Sequence, residues 1–345
     1  MRPISTRTPP SNPAVPRHEC SRAADPWCCQ QQRCRRYIAF DAPPALDVCA
    51  AQLQRVYRLL ARASAHWHWL FPVAAALNHA CVPNCVATFR GRELHLRALR
   101  PISPGDELTI AYTEVVAPTR ARRLELATSY FFHCDCLRCM GSGSCWAKKE
   151  PLLEGLGCSQ SGCAGRLEPA IDGAVNTCPT CLTVTECNDV TPRLVQRAIQ
   201  AADDAERRKD VPKAIASRQR AYALTQASYH KYHADNIAGA ETLANLIMSA
   251  ENARFRDAAQ NSLALALYAS ALEGLRWLYG PELAPLRGLT TLKYAQALHL
   301  ADPRAKDEAL RLVQEACPLL ATTHGDDSAV VATAIALLHE LQRVE

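Results

Sequence analysis

The sequence predicts an α+β protein in which short strands precede an all-helical region, and three observations support this fold class. Two short segments that read as strands, 86–89 and 93–98, flank Arg90-Gly91-Arg92, which is the pattern of a β-hairpin. From Thr191 to the end of the chain, apolar residues recur at helical spacing. Between these two regions the cysteines cluster at close spacings, which favours metal binding over scattered thiols.

Composition bounds the class of protein. A chain of 345 residues that is 48% hydrophobic can bury a sizeable core, and its length indicates two or three domains. The net charge of +5 is mild and no long run of Lys and Arg occurs, so no direct nucleic-acid partner is implied. No apolar run is long enough to cross a membrane, and no secretion signal is expected. Seventeen cysteines in such a chain favour zinc in a reducing compartment, the cytoplasm or the nucleus.

The first predicted segment, 1–66, combines a leader with one helix. Residues 1–44 are rich in Pro and Arg and lack apolar periodicity, which is typical of disorder. Over 45–65 apolar residues recur every three or four positions, which predicts an amphipathic helix.

The second predicted segment, 67–140, contains the two runs around which the chain is organised. They are Asn78-His79-Ala80-Cys81-Val82-Pro83-Asn84 and Cys134-Asp135-Cys136-Leu137-Arg138-Cys139. The second run offers three thiolates, whereas tetrahedral zinc takes four ligands, so the fourth must come from elsewhere. Cys81 is the best candidate and Cys85 competes with it. Between the runs we expect a turn over 101–106, a strand over 107–112 and a helix over 119–129.

These runs resemble the signatures of SET-domain lysine methyltransferases. The first is similar to their NHSCxPN motif, Gly105-Asp106-Glu107-Leu108-Thr109-Ile110-Ala111-Tyr112 is similar to GEELxIxY, and the cysteine run resembles the post-SET zinc loop. With a helical C-terminal region, the order resembles the SMYD family of SET and MYND domain proteins. The resemblance implies a partial SET domain, with small sheets and a threaded loop, closed by a post-SET zinc loop.

The resemblance also implies roles for individual residues. Tyr112 would be catalytic and also contact the cofactor, S-adenosylmethionine, while Asn78, His79 and Phe132 would bind that cofactor. Tyr130 would wall the channel for the substrate lysine. Taken alone each residue has an ordinary alternative, since a tyrosine that ends a strand is usually a core or rim residue.

The sequence departs from the family pattern toward its N-terminus. The family's Gly-x-Gly segment lies against the cofactor, but the first glycine of this chain is Gly91. His18-Glu19-Cys20 resembles the end of a MYND finger without its preceding cysteine pairs. Two alternatives stay open: the chain is a truncated or misjoined form of a longer protein, or it descends from an enzyme and has lost the activity.

The third predicted segment, 141–190, is a linker with a second set of cysteines. Cys158, Cys163, Cys178 and Cys181 form two close pairs, and this spacing is typical of a zinc ribbon. The alternative is a group of unrelated cytosolic thiols.

The last predicted segment, 191–345, is helical throughout. We expect helices over 191–208, 212–229, 235–251, 255–278, 284–301, 304–322 and 327–342. Two joints, Tyr279-Gly280-Pro281 and His324-Gly325-Asp326, resemble each other and start 45 residues apart, a period suited to helical hairpins. The segment therefore predicts a TPR-like helical-repeat domain similar to the C-terminal domain of the SMYD family, although a plain helical bundle would give the same pattern.

The leading functional interpretation is an S-adenosylmethionine-dependent protein-lysine N-methyltransferase that contains zinc and acts on a histone or another protein. The alternative is a non-catalytic, zinc-stabilised interaction protein that uses its helical repeats to bind a peptide partner. The two interpretations differ in whether the chain binds S-adenosylmethionine.

Overall fold

The computed structural model describes residues 71–141, 145–168, 175–186 and 190–343. The predicted leader and the predicted helix over 45–65 lie outside these residues. Within the described residues, small sheets come first and helices follow, so the α+β class is confirmed.

The first sheets are small and lie near the predicted motifs. Strands β2 (Cys85–Arg90) and β3 (Glu93–Ala98) form the predicted antiparallel hairpin. Gly91 has a φ of +57° at its turn, a conformation that glycine adopts without strain. Strand β1 (Asn78–His79) pairs in parallel with β4 (Thr109–Ile110), which joins two segments far apart in sequence.

The strand predicted over 107–112 is wrong in extent, because only Thr109–Ile110 is a strand. The Tyr112 N–H donates to His79 Nδ1 beyond the C-terminal end of β4, and the Asn84 side chain occupies the N-terminal end. The Asn84 amide donates to the Glu107 carbonyl at 2.8 Å and its oxygen accepts from the Thr109 N–H at 2.8 Å. A side chain thus satisfies backbone groups that a neighbouring strand would otherwise pair.

Helix α2 (Thr119–Ser129) has the predicted bounds. Three short helices were not predicted: α1 (Pro72–Ala75), α3 (Leu137–Met140) and α4 (Trp146–Leu153). Helix α4 contains Pro151, and its two buried residues, Trp146 and Leu153, are seven positions apart on one face.

The segment after α4 folds as two small antiparallel hairpins. One pairs β5 (Leu156–Gly157) with β6 (Arg166–Leu167), and the other pairs β7 (Val175–Thr177) with β8 (Val184–Glu186). Short strands of this kind hold little core of their own, so cross-links between them matter for stability.

All seven helices predicted after residue 190 are present, with bounds that differ by up to three residues. They are α5 (Val190–Arg207), α6 (Val211–Ser228), α7 (Ala234–Met248), α8 (Ala258–Tyr279), α9 (Pro285–Ala301), α10 (Lys306–His324) and α11 (Ala329–Gln342). A 3₁₀ helix, Ala250–Phe255, covers the predicted end of α7 and the first residue predicted for α8. Helices α8 and α10 both end at a glycine with positive φ, Gly280 and Gly325, as the repeated joint predicts.

Two apolar cores organise the helical region. The larger one is built from buried Ala, Leu and Ile side chains of α6 to α11. The smaller one joins Trp146 and Leu153 of α4 to Leu275 and Leu278 of α8. Lys149 also donates to the Leu278 carbonyl at 2.8 Å, near the end of α8. Helix α4 therefore connects the cysteine-rich half to the helical region, as does the contact of the β2–β3 hairpin with α10.

None of the helices in the described ranges is both long and apolar enough to span a bilayer.

Candidate functional site

The site begins at the loop that follows β1. The parallel pairing sets Asn78 opposite Thr109 and His79 opposite Ile110. The Asn78 amide donates to a carboxylate oxygen of Glu107 at 2.5 Å. Together with buried Asn84, these contacts hold the loop against the strand that leads to Tyr112.

The structure brings together four cysteines that the sequence analysis grouped, and we call them the inner cluster: Cys81, Cys134, Cys136 and Cys139. All four sulfur atoms lie within 4.8 Å of one another. The Cys81 sulfur is 4.0 Å from that of Cys134 and 3.5 Å from that of Cys139. Cys85, the competing fourth ligand, is buried but lies outside the cluster.

His79 links this cluster to Tyr112. Its Nδ1 accepts from the Tyr112 backbone N–H at 3.0 Å, which leaves Nε2 to carry the proton and donate to the Cys81 sulfur at 3.2 Å. Burial lowers the pKa of His79, which favours this neutral tautomer. Both ring nitrogens are therefore used within the site, and the predicted cofactor contact of His79 stays a prediction.

Beside the inner cluster lies a group of rings that we call the aromatic cluster: His79, Tyr112, Tyr130 and Phe132. The Tyr112 and Tyr130 ring centroids are 4.7 Å apart, and Phe132 meets Tyr112 edge-on at 6.4 Å. Phe131, between two of these residues, has a φ of +60° and is 87% exposed. Its left-handed conformation places Tyr130 and Phe132 on the same ring group while Phe131 faces solvent.

The Tyr112 hydroxyl donates to the Leu77 carbonyl. Burial, and then the neighbouring Tyr130, raise the pKa of Tyr112 above its ordinary value. The phenol therefore keeps its proton at neutral pH and can donate a hydrogen bond.

Sequence reasoning missed one residue at the centre of the site, Arg122 of α2. It is completely buried, and its Nε donates to the Cys81 sulfur at 3.1 Å. Its Nη2 lies 3.5 Å from the Cys139 sulfur. The available signal was its position four residues before Leu126, which puts both side chains on the buried face of α2.

Arg122 and Arg138 share a carboxylate, Glu150 of α4, and we call these three residues the charge triad. Arg138 is also buried and donates to Glu150 and to the Val115 carbonyl at 2.6 Å. Its guanidinium stacks over Trp146 with 4.5 Å to the ring centroid. Burial opposes the charge of Glu150, but the arginines outweigh it and lower the pKa of this carboxyl group.

The second set of cysteines forms what we call the outer cluster: Cys158, Cys163, Cys178 and Cys181. Their sulfur atoms also lie within 4.8 Å of one another, and the set connects the two small hairpins. Backbone N–H groups of Gln160 and Gly165 donate to sulfurs at 3.4 and 3.3 Å.

Both clusters have the donor set of a structural metal centre. Four thiols this close cannot all ionise without a cation, since each thiolate repels the next. Four sulfur ligands in a compact group fit tetrahedral zinc, which leaves no open position for catalysis. Any catalysis would therefore need other groups, and the aromatic cluster lies directly beside the inner cluster.

Comparison with known families identifies the class of this fold. The model of the SET domain family matches residues 15–113. The matched segment resembles a SET domain, and the described residues show small sheets followed by a mostly helical region. The match starts within the segment 1–66 that we assigned to a leader and a helix, and our domain boundaries stay predictions.

Individual proteins that are similar to this chain give a more specific resemblance than the family model does. The chain is 30% identical to the histone-lysine N-methyltransferase ASHR1 of Arabidopsis thaliana over 187 residues, which is 53% of this chain and 38% of the relative. It is 38% identical to human SMYD3 over 105 residues, 29% of this chain and 24% of the relative. Chicken N-lysine methyltransferase SMYD2 is 41% identical over 70 residues, 20% and 16% of the two chains. The matches span less than two fifths of each relative, and they confirm the resemblance to the SMYD family.

Proposed function

We propose that this protein is an S-adenosylmethionine-dependent protein-lysine N-methyltransferase. The observation that carries the proposal is the contact between the Asn78-His79 loop and the aromatic cluster beside four convergent cysteines. Each part matches the SET resemblance in kind and order, and the relatives are named as lysine methyltransferases.

In methyl transfer the protein mainly aligns the donor with the acceptor and excludes water. The donor is a sulfonium and the acceptor is a lysine amine. Tyr112 and Tyr130 present ring faces that attract cationic groups, and Phe132 would pack against the adenine end of the donor. Asn78 is exposed beside them and offers an amide for a polar contact. Tyr112 would orient the reacting nitrogen with its hydroxyl and its ring.

We further propose that each cysteine cluster holds one zinc ion. In the inner cluster, zinc would hold the Asn78-His79 loop beside the aromatic cluster, which is the geometry that a methyl-donor pocket requires. In the outer cluster it would tie two hairpins that share little core. A protein with this chemistry suits the cytoplasm or the nucleus, where thiols stay reduced.

Titration calorimetry with S-adenosylmethionine tests the proposal most directly. We expect binding to the full chain with bound zinc, and weaker binding by F132A because the adenine contact is lost. F131A is the matched control, since Phe131 is the neighbouring ring but faces solvent. Equal affinity in the two variants would contradict the role given to Phe132.

Transfer itself is tested by radiolabelled methyl incorporation into a histone or another lysine-bearing protein. We expect incorporation that disappears when the target lysine is replaced by arginine and falls strongly in Y112F. Y130F is a useful companion, because it keeps the ring but loses the hydroxyl that lies 3.5 Å from the Tyr112 carbonyl. Incorporation that is unchanged in Y112F would remove Tyr112 from the catalytic role.

A second candidate is a non-catalytic interaction protein, and a cavity in the helical region favours it. The cavity measures about 510 Å³ and is lined by Tyr232, Ala269, Leu272, Glu273, Arg276, Trp277, Tyr294 and Glu308. Such a groove of aromatic and charged groups suits a peptide partner. If the zinc-bound chain binds no S-adenosylmethionine, this candidate replaces the enzyme.

A further inference from the structure

Arg122 is a charged side chain with no exposed surface, held within a cysteine cluster. A buried cation needs partners that offset the loss of water, because an unpaired buried charge costs several kcal/mol. The position of Arg122 between the inner cluster and Glu150 raises the question of which partner it serves.

The guanidinium also donates to the Ala117 carbonyl and, through Nη2, to the Thr119 hydroxyl oxygen at 2.9 Å, but both of these partners are neutral. Distances rank the two charged partners, the inner cluster and Glu150. Arg122 Nε is 3.1 Å from the Cys81 sulfur, and N–H groups reach sulfur at longer range than oxygen, so this is a full hydrogen bond. Its contacts to the two Glu150 oxygens are both 3.3 Å, which is long for an arginine-carboxylate pair. Glu150 is instead held more closely by Arg138 and by the Thr119 hydroxyl at 2.6 Å.

The charges also favour the inner cluster over Glu150 as the main charged partner of Arg122. Within the charge triad, two arginines and one carboxylate leave one positive charge in excess, in a buried setting. Four thiolates around a divalent zinc ion carry two negative charges. The excess of the triad therefore has a natural counter-charge at the inner cluster. Glu150 pairs more closely with Arg138 than with Arg122, and the Cys81 sulfur accepts a direct hydrogen bond from Arg122.

We propose that Arg122 is a positioning residue that stabilises the fully ionised inner cluster by donating to the Cys81 and Cys139 sulfurs. This inference rests on the proposed zinc site. Cys81 then receives two donors, from Arg122 and from His79 Nε2. Such donors withdraw electron density from a metal-bound thiolate and make it less reactive, and partners of metal ligands often govern metal affinity.

The chain supplies two matched controls. Arg123, next in sequence on α2, donates to the backbone carbonyls of Cys134 and Cys139 at 3.0 and 3.2 Å, so R123M removes an arginine of the same helix without removing a donor to sulfur. E150Q removes the carboxylate but keeps an oxygen for Thr119. If Arg122 matters only as an ion-pair partner, E150Q and R122M should act alike.

The first measurement is zinc retention by the full chain during dialysis against a graded chelator, counted by mass spectrometry of the metal. R122M should hold the inner zinc about 10- to 100-fold more weakly than the unchanged chain, which is the usual cost of losing such a partner. R123M and E150Q should stay close to the unchanged chain. R122K should fall between, because ammonium keeps the charge but not the forked donor geometry.

The second measurement is specific to the sulfurs. Limited alkylation of the zinc-bound chain with iodoacetamide, mapped by peptide mass spectrometry, gives a rate for each cysteine. In R122M we expect faster modification of Cys81 and Cys139 relative to Cys134 and Cys136. A uniform rise at all four positions would mean that the loop has only loosened, and it would overturn the inference.

The outcomes also separate the inference from the zinc proposal. If the unchanged chain holds no zinc at the inner cluster, the metal proposal fails and the role of Arg122 fails with it. If zinc is held and R122M matches R123M in both measurements, the inference alone fails. Should R122M not fold, R122K and R123K replace it, and equal zinc retention by these two would overturn the role of Arg122.

Discussion

The inner and outer clusters contain the same four ligands, yet they are built differently. Cys81 and Cys139 are 58 residues apart, and the inner sulfurs are surrounded by α2, Arg122 and His79. The outer cluster closes within one short segment, and its sulfurs receive backbone N–H groups near solvent. We therefore expect the surrounding charges and the chain connectivity, rather than the ligands alone, to set how firmly each cluster would hold a metal.

Loss of a ligand from the inner cluster should have the largest effect. We expect C81S to lower the zinc content from two ions to one per chain and to unfold the Asn78-His79 loop, because about 10 kcal/mol of binding free energy can be coupled to folding in such sites. C85S should keep both ions, since Cys85 is buried outside the cluster. Equal zinc loss in the two variants, counted by elemental analysis, would dismiss the shared site.

The outer cluster should be sensitive to a single methyl group. At Gly165 a Cβ would overlap the Cys178 sulfur and lie 3.2 Å from that of Cys163. We expect G165A to lose the outer zinc and to destabilise the hairpins by about 1–3 kcal/mol, the usual cost of overpacking. The inner zinc should stay bound.

Gly162 supplies the control for this experiment. Its φ is +77° but open space surrounds it, so G162A should cost about 1 kcal/mol of backbone strain and keep both metals. Thermal unfolding followed with zinc counting distinguishes the two variants. If G165A retains both ions, the hairpins can shift enough to accommodate the added Cβ, and the prediction is wrong.

The order of metal release should differ between the clusters. A chelator should extract the outer zinc about 10- to 100-fold faster than the inner zinc, because partners like Arg122 and His79 are absent from the contacts described for the outer sulfurs. Metal release followed with a coloured indicator should show two phases. C178S should remove the fast phase only. If it removes the slow phase instead, the outer cluster holds its zinc more firmly than the inner one, and the prediction is wrong.

The last expected effect is the acid sensitivity of the loop that supports the outer hairpins, which reaches its full size only at acidic pH. The His230 N–H of this loop donates to the Gly155 carbonyl at 2.9 Å. Burial lowers the pKa of His233 from 6.5 to about 4. Between these values the unfolded chain binds a proton that the folded chain does not, so stability falls as pH falls, by up to about 1.4 kcal/mol per pH unit. Asp235, whose pKa is raised by burial, acts in the opposite sense at the acidic end.

H233N tests this effect by denaturant unfolding in the upper half of that pH window. Asparagine keeps an oxygen that can accept from the Asp235 N–H, as His233 Nδ1 does at 3.1 Å. We expect a shallower loss of stability than in the unchanged chain. Part of the slope should remain, because burial lowers the pKa of His230 as well. An unchanged slope would remove His233 as its source.

Much of this architecture follows from local patterns. The hairpin around Gly91, helix α2 and the seven later helices were predicted because apolar spacing and turn residues act over a few positions. Both cysteine sets were found because metal ligands have characteristic spacing. The short β4 was mispredicted, since the side chains of Asn84 and His79 take hydrogen bonds at its start and just beyond its end.

Other features depend on contacts that no local pattern records. Arg122 looks like an ordinary surface charge on an amphipathic helix until Glu150 and the sulfurs surround it. Helix α4 was read as linker, although Trp146 and Leu153 stand seven positions apart, because Pro151 and the flanking cysteines masked the spacing. The aromatic cluster was expected from resemblance, and only the structure gives its ring geometry.

The wide separation of Cys81 from the other three cysteines in the sequence has a consequence during translation. At a synthesis rate of about 5–20 residues per second, some 3–12 s pass between the addition of Cys81 and that of Cys139, 58 positions later. During that interval the Cys81 thiol lacks the complete set of cysteines of the inner cluster. Arg122 is added to the growing chain before Cys134, Cys136 and Cys139. A ribosome that pauses shortly after Cys81 would prolong the exposure of that thiol to oxidation or to competing metals, and the outer cluster, made within a shorter stretch, would be spared.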